Sequence, residues 1–142
     1  MALIVPDEGE QLLLKYMLNK AAMPASVYLN LYKTAGAGLS ESTVYSDFTT
    51  EGTWAGAGYA PIALVNASWT ITSPGGIATA TYGGASTFTF TGAGPGPYTV
   101  NGYFLSINDG GNKVLWAEAF PASFVLPSGG GTIVLTLKME LT

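Results

Sequence analysis

Two hydrophobic periods divide the chain. Between Asp7 and Lys20 the apolar positions follow helical spacing. Leu13, Met17 and Lys20 fall at i, i+4 and i+7, and Leu14 and Leu18 widen the stripe. The pattern predicts a helix over Asp7–Lys20. Pro6 precedes it, Asp7, Glu8 and Glu10 occupy its first turn, and Lys15 and Lys20 fall late, so charge complements the helix dipole at both ends. The apolar arc is broad, and the expectation is a helix covered on more than one side, by its own sheet or by another subunit. Leu3-Ile4-Val5, just ahead of it, forms an apolar tag suited to either role. Ala21-Ala22-Met23-Pro24 closes the helix.

From there the period becomes two. Ser26–Lys33 alternates, with Val27, Leu29 and Leu31 on one face and Tyr28, Asn30 and Tyr32 on the other. Thr34–Glu41 reads as a small-residue loop. Further strands are predicted at Tyr45–Phe48, Ile62–Val65, Trp69–Thr72, Ile77–Tyr82, Thr87–Thr91, Thr99–Ser106, Val114–Phe120 and Thr132–Met139. Thr79–Tyr82 and Thr87–Thr91 are rich in β-branched and aromatic residues that fit a pleated surface. Gly-Gly-Asn before Val114 and Pro121 after Phe120 argue for a strand there rather than a helix. Ile133 to Leu141 alternates throughout and is expected to be one core strand.

Turn signals separate these runs. Asn108-Asp109-Gly110-Gly111 supplies the positive φ of a tight hairpin. Ser73-Pro74-Gly75-Gly76 and Ser128-Gly129-Gly130-Gly131 are flexible turns, and Gly92–Pro97 is a cluster of breakers. The spacing implies a mainly β chain: a β-sandwich, jelly-roll or immunoglobulin-like, preceded by one N-terminal α-helix and arm. We divide it into an arm and helix over 1–24 and a sandwich over 25–142, compact as a whole.

Composition narrows the function. Only 10% of the 142 residues are charged, against roughly 25% in ordinary soluble domains. Part of the surface is therefore expected to lie under a partner, or to be uncharged Ser/Thr/Gly surface. Five Lys without Arg, at a net charge of −4, give no basic face for nucleic acid. The absence of Cys excludes disulfides, thiolate nucleophiles and Cys-type zinc sites, and the absence of His removes the commonest general base and metal ligand. No apolar run approaches the ~18 residues of a membrane span. The acidic start lacks the basic and apolar regions of a signal peptide. The expectation is a chain made in the cytoplasm and not exported.

Catalytic constellations are missing. None of Lys15, Lys20, Lys33, Lys113 and Lys138 sits in a Ser-x-x-Lys arrangement. Asp47 with Glu51, and Asp109 with Glu118, are the nearest to paired carboxylates, and loop or solvent-facing roles explain them. Asn108–Asn112 lacks the alternating acidic ligands of a calcium loop. Gly36-Ala37-Gly38 and Gly56-Ala57-Gly58 lack the context of phosphate-binding loops. Asn66-Ala67-Ser68 matches a glycosylation sequon by spacing alone. We expect no enzyme, no catalytic residue, no metal and no cofactor.

Aromatic and apolar residues are the better candidates. Trp54, set among Gly and Ala, is the tryptophan expected to be exposed, whereas Trp69 and Trp116 lie inside alternating strands and suit a core. Tyr28 and Tyr32 suit a half-exposed or interfacial pair. The candidate partner-binding residues are Leu3, Ile4, Val5, Leu13, Met17, Tyr28, Tyr32 and Trp54.

The opening Met1–Glu10 with its Leu-rich helix, and then Val27-Tyr28-Leu29-Asn30-Leu31-Tyr32-Lys33, resemble small virion proteins of tailed bacteriophages, cyanophages among them. Tyr59–Thr72 is similar too, with Ala67-Ser68-Trp69-Thr70. So is Gly102-Tyr103-Phe104 followed by Val114–Phe120. Ile77–Pro97 falls outside the resemblance and reads as a variable surface hairpin. The resemblance implies a structural protein of the virion, and within that class a capsid decoration, or cement, protein. Such a protein binds the major capsid protein or other virion proteins and stabilises the outer shell. A homo-oligomer is expected, a trimer first. The alternative is a head- or tail-fibre-type module that binds a receptor or carbohydrate, through Trp54 or a Thr87–Tyr98 hairpin. Neither reading needs nucleic acid or membrane.

Overall fold

The computed structural model describes residues 3–22, 24, 26–33, 38–94, 96–108 and 112–141. It is a mainly β, sandwich-like fold with one N-terminal α-helix. The strands are β1 (Leu3–Ile4), β2 (Ser26–Tyr32), β3 (Ile62–Val65), β4 (Trp69–Thr72), β5 (Ala78–Tyr82), β6 (Ser86–Phe90), β7 (Tyr98–Asn108), β8 (Asn112–Leu126), β9 (Gly131–Leu135) and β10 (Lys138–Leu141), and the helix α1 is Asp7–Met17. All pairings are antiparallel. One sheet has the order β1-β8-β7-β2-β3, a second β10-β5-β4, and the third pairs β6 with β9.

The main core lies between the five-stranded sheet and its neighbours. Leu29, Leu31, Val100, Leu105 and Ile107 meet Phe88 and Phe90 of β6, Ile133 of β9 and Leu12 of α1. The other face of the same sheet is buried as well. There Tyr32, Phe104, Val114 and Ala117 pack under Phe48. With both faces covered, Leu29 to Tyr32 are all buried, so the polar side expected of β2 is an interior side from Asn30 onward.

Several expectations are corrected. Tyr45–Phe48 is not a strand but the start of a 3-10 segment, Tyr45–Ala57, with a break at Phe48. Its first turn is held by Asp47, whose carboxylate accepts the Val44 N–H at 2.8 Å. The helix stops at Met17, short of Lys20. Asn19 adopts a left-handed φ of 53°, Lys20 N–H donates to Lys15 O and Asn19 N–H to Tyr16 O, which together form a Schellman stop. Strand β8 runs past Pro121 to Leu126, because the register slips from Gly102↔Ala119 to Val100↔Phe124 and the proline falls in the bulge, where no ladder bond is required of it. The last strand is two. Between β9 and β10 the chain leaves β6 for β5 at Thr136-Leu137, and Leu137 stays buried in the core. Neither a Thr87–Tyr98 nor an Ile77–Pro97 hairpin forms, since β6 pairs with β9 and β5 with β4 and β10. The Asp109–Gly111 turn and residues 34–37 of the Thr34–Glu41 loop lie outside the described residues, although Asn108↔Asn112 are in register on either side of the turn.

Helix α1 lies on β8. A Cβ on Gly9 would stand 2.3 Å from Leu115 O, so the glycine sets how closely the helix approaches. The β7–β8 register shifts between Leu105↔Trp116 and Ser106↔Val114, and Val114 N–H donates to Glu8 Oε1 at 2.6 Å. A helix carboxylate thus serves the backbone at the bulge.

Candidate functional site

The structure separates the eight candidate residues into three groups. Leu3 and Ile4 pair with Glu118 and Ala117 of β8, so the arm adds a strand to the chain's own sheet, and Val5 is half-buried behind it. Tyr32 and Trp54 are buried, each only 2% exposed. This corrects their reading as surface residues. Trp54 packs edge-on against Tyr59 and Phe90 at ring distances of 5.3 and 5.7 Å. Tyr32 packs against Phe48 at 5.2 Å. A 3-10 segment has neither of the periodicities that betray burial in a sequence, and a sheet buried on both faces gives Tyr32 no solvent side. Leu13, Met17 and Tyr28 do face outward.

Helix α1 turns Gly9, Leu12 and the half-buried Tyr16 inward, at spacings of three and four. Within the chain only that side is covered, by β8 and the core. Leu13, Leu14, Met17 and Leu18 form a continuous outer stripe at 45%, 56%, 80% and 67% exposure. Leu14 and Leu18 belong to the same patch as Leu13 and Met17 because residues three and four apart are neighbours on a helix.

A second surface feature is an apolar groove of about 310 Å³ where the five-stranded sheet parts from the β10-β5-β4 sheet. Val27, Leu105 and Trp116 line one wall, and Trp69, Ile71 and Met139 the other. Trp69 and Trp116 are half-buried, between core and groove, and pack against the core cluster as their alternation suggested.

On the opposite face of the five-stranded sheet is a polar cleft of about 250 Å³, lined by Tyr28, Asn30, Tyr45, Pro61, Ser106 and Asn112. Asn30 and Ser106 are buried, and Asn30 Nδ2 donates to Ser106 Oγ at 2.9 Å and to Tyr28 O at 3.0 Å. Since a backbone carbonyl can only accept, the nitrogen of the amide must be the atom facing Tyr28 O.

The most perturbed titrating groups surround Glu118. Tyr103 lies directly opposite it and donates its hydroxyl to Glu118 Oε2. Burial, and then the carboxylate, push the Tyr103 pKa well above the ordinary phenol value. Tyr32 reaches toward the same charge over Gly102, where a Cβ would come within 2.5 Å of the Tyr32 hydroxyl. Burial and the Glu118 charge raise the Tyr32 pKa to about 12. A phenol is protonated at neutral pH in any case, and these shifts keep both hydroxyls protonated further into alkali. That suits hydrogen bonding rather than proton transfer.

Lys138 and Glu140 form an exposed ion pair at 2.6 Å on β10. Among the described residues no three acidic side chains gather where a cation would sit, and no helix is long and apolar enough to cross a membrane. Comparison with protein-family models and with curated proteins returns no match for this sequence.

Proposed function

We propose that this chain is a structural protein of a phage particle, of the capsid decoration type, which lays the outer face of α1 on a shell protein or on a sister subunit. The observation that carries the reading is the Leu13-Leu14-Met17-Leu18 stripe. An amphipathic helix packed on its own domain normally presents charged or polar residues to water, and contiguous apolar surface there marks an interaction site. Covering it gains roughly 25 cal/mol for each Å² removed from water. The low charge of the chain and the resemblance of its N-terminal blocks to phage virion proteins support the same reading. A lattice of many copies needs only modest affinity at each contact. The partner proposed is the major capsid protein, the free form a homo-oligomer with a trimer favoured, and the location the virion.

The test is light scattering of the purified chain, alone and with purified capsid shells, for the native sequence and for Leu14→Lys and Met17→Lys. The expected result is a defined oligomer that binds shells, with folding intact and shell binding lost in both variants. A stable monomer that ignores shells would overturn the reading.

A further inference from the structure

The geometry points to a second site, independent of how α1 docks: the cleft over Asn30 and Ser106 binds a neutral sugar residue. A purely structural Asn–Ser pair would lie beneath packed side chains. Here the pair forms the floor of an opening of about 250 Å³ on a face otherwise filled by Tyr32, Phe104 and Val114. Apolar residues at positions 30 and 106 would satisfy that face with no polar group to bury. Polar residues in their place provide something an apolar floor lacks.

What they provide is defined. Both amide hydrogens of Asn30 are committed to protein, to Tyr28 O and Ser106 Oγ. This fixes the amide plane and leaves Oδ1 as its remaining polar atom, an acceptor. Ser106 Oγ accepts from Asn30, so its own hydrogen is available to donate. A fixed acceptor beside a donor matches adjacent sugar hydroxyls, each of which gives one hydrogen bond and takes another. Asn112 adds an exposed amide at the rim.

The walls suit the apolar side of a pyranose ring. Tyr28 is 39% exposed, and Tyr45 is held edge-on against Phe104 at 5.7 Å, which is itself stacked on Phe48 at 4.1 Å. An aromatic ring braced in this way presents a rigid surface to C–H groups, with little ordering left to lose on binding. Among the described residues no charged side chain lines the cleft. Phosphate, carboxylate and ammonium ligands would find no counter-charge there, which selects an uncharged, hydroxyl-rich ligand. The opening is below the ~300–1,000 Å³ of sites for drug-sized molecules and suits a single ring.

The experiment is an amide NMR titration of the full chain with the methyl glycosides of glucose, galactose, mannose and N-acetylglucosamine. Saturable shifts at Asn30, Ser106 and Asn112 are expected with at least one of them. Tyr28→Ala, at a half-exposed position, should keep the fold and weaken binding roughly tenfold. Ser106→Ala should weaken it too; if that variant fails to fold, Tyr28→Ala still decides. Ile71→Ala, on the other side of the molecule, should change nothing, and neither should Met17→Lys, which tests only the helix. Absence of shifts with all four glycosides would overturn the site, as would shifts elsewhere or undiminished binding by Tyr28→Ala.

Discussion

Glu8 and Val114, 106 positions apart in sequence, are joined by a 2.6 Å hydrogen bond from the Val114 N–H to the Glu8 carboxylate. The bond ties the first turn of α1 to the bulge in β8, so helix and sheet stabilise one another at a point where the ladder is irregular. Glu8→Ala leaves a backbone donor in a partly buried place without its acceptor. The expected loss is about 1–3 kcal/mol of unfolding free energy, measured by urea denaturation. Unchanged stability would mean that water replaces the carboxylate.

Gly9→Ala gives the second prediction. On helix propensity alone alanine is better by about 1 kcal/mol. The added Cβ would meet Leu115 O at 2.3 Å, and a backbone atom gives way poorly. The variant should therefore be less stable by about 1–3 kcal/mol. A gain in melting temperature would show that α1 does not lie so close to β8.

Trp54 and Ile71 make a contrasting pair. Trp54 is 2% exposed within an aromatic cluster, and Ile71 is 76% exposed. Trp54→Ala should cost about 3–5 kcal/mol, while Ile71→Ala should stay within about 0.5 kcal/mol of the native chain. Thermal unfolding of both variants checks the ranking.

The two phenols near Glu118 predict how stability falls in alkali. In the folded chain both pKa values are raised, Tyr32 to about 12. The unfolded chain then loses these protons first, near the ordinary phenol pKa of about 10. Their contribution to stability is complete below that pH and falls as pH climbs toward 12. Tyr32→Phe should flatten the decline in melting temperature across that window.

Removing residues 1–17 takes Leu12 from the core together with the Glu8 and Gly9 contacts on β8. The shortened chain should melt far lower or fail to fold. Met17→Lys, on the uncovered side, should melt close to the native chain. Circular dichroism of the two separates the inner role of the helix from its outer one.

Where burial follows a period, the sequence reveals the fold. β3 and β4 have the boundaries that alternation predicts, and β2, β5, β6 and β7 differ by one to a few residues at their ends. The failures have physical causes. Trp54 lies in a 3-10 segment with neither helical nor strand period. Tyr32 alternates as a surface residue would, but a second core covers that face. Ile133 to Met139 alternates without interruption although the strand changes partner at Thr136-Leu137, because the core lies on the same side before and after the change. The polar cleft left a faint trace, an asparagine between Leu29 and Leu31 and a serine between Leu105 and Ile107. Strand pattern reads such residues as facing water, and only the register of β2 on β7, with Asn30 opposite Phe104 and Tyr28 opposite Ser106, makes them diagonal neighbours on one face.

The crossing of the chain from β9 to β10 also has a mechanical meaning. Two residues link a strand of one sheet to an edge strand of another, and Met139 of that edge strand lines the apolar groove. Sliding the β10-β5-β4 sheet outward would pull on Ile133 and Phe88 through that short tether. The short connection therefore ties the position of an edge strand beside the groove to the seating of Ile133 in the core.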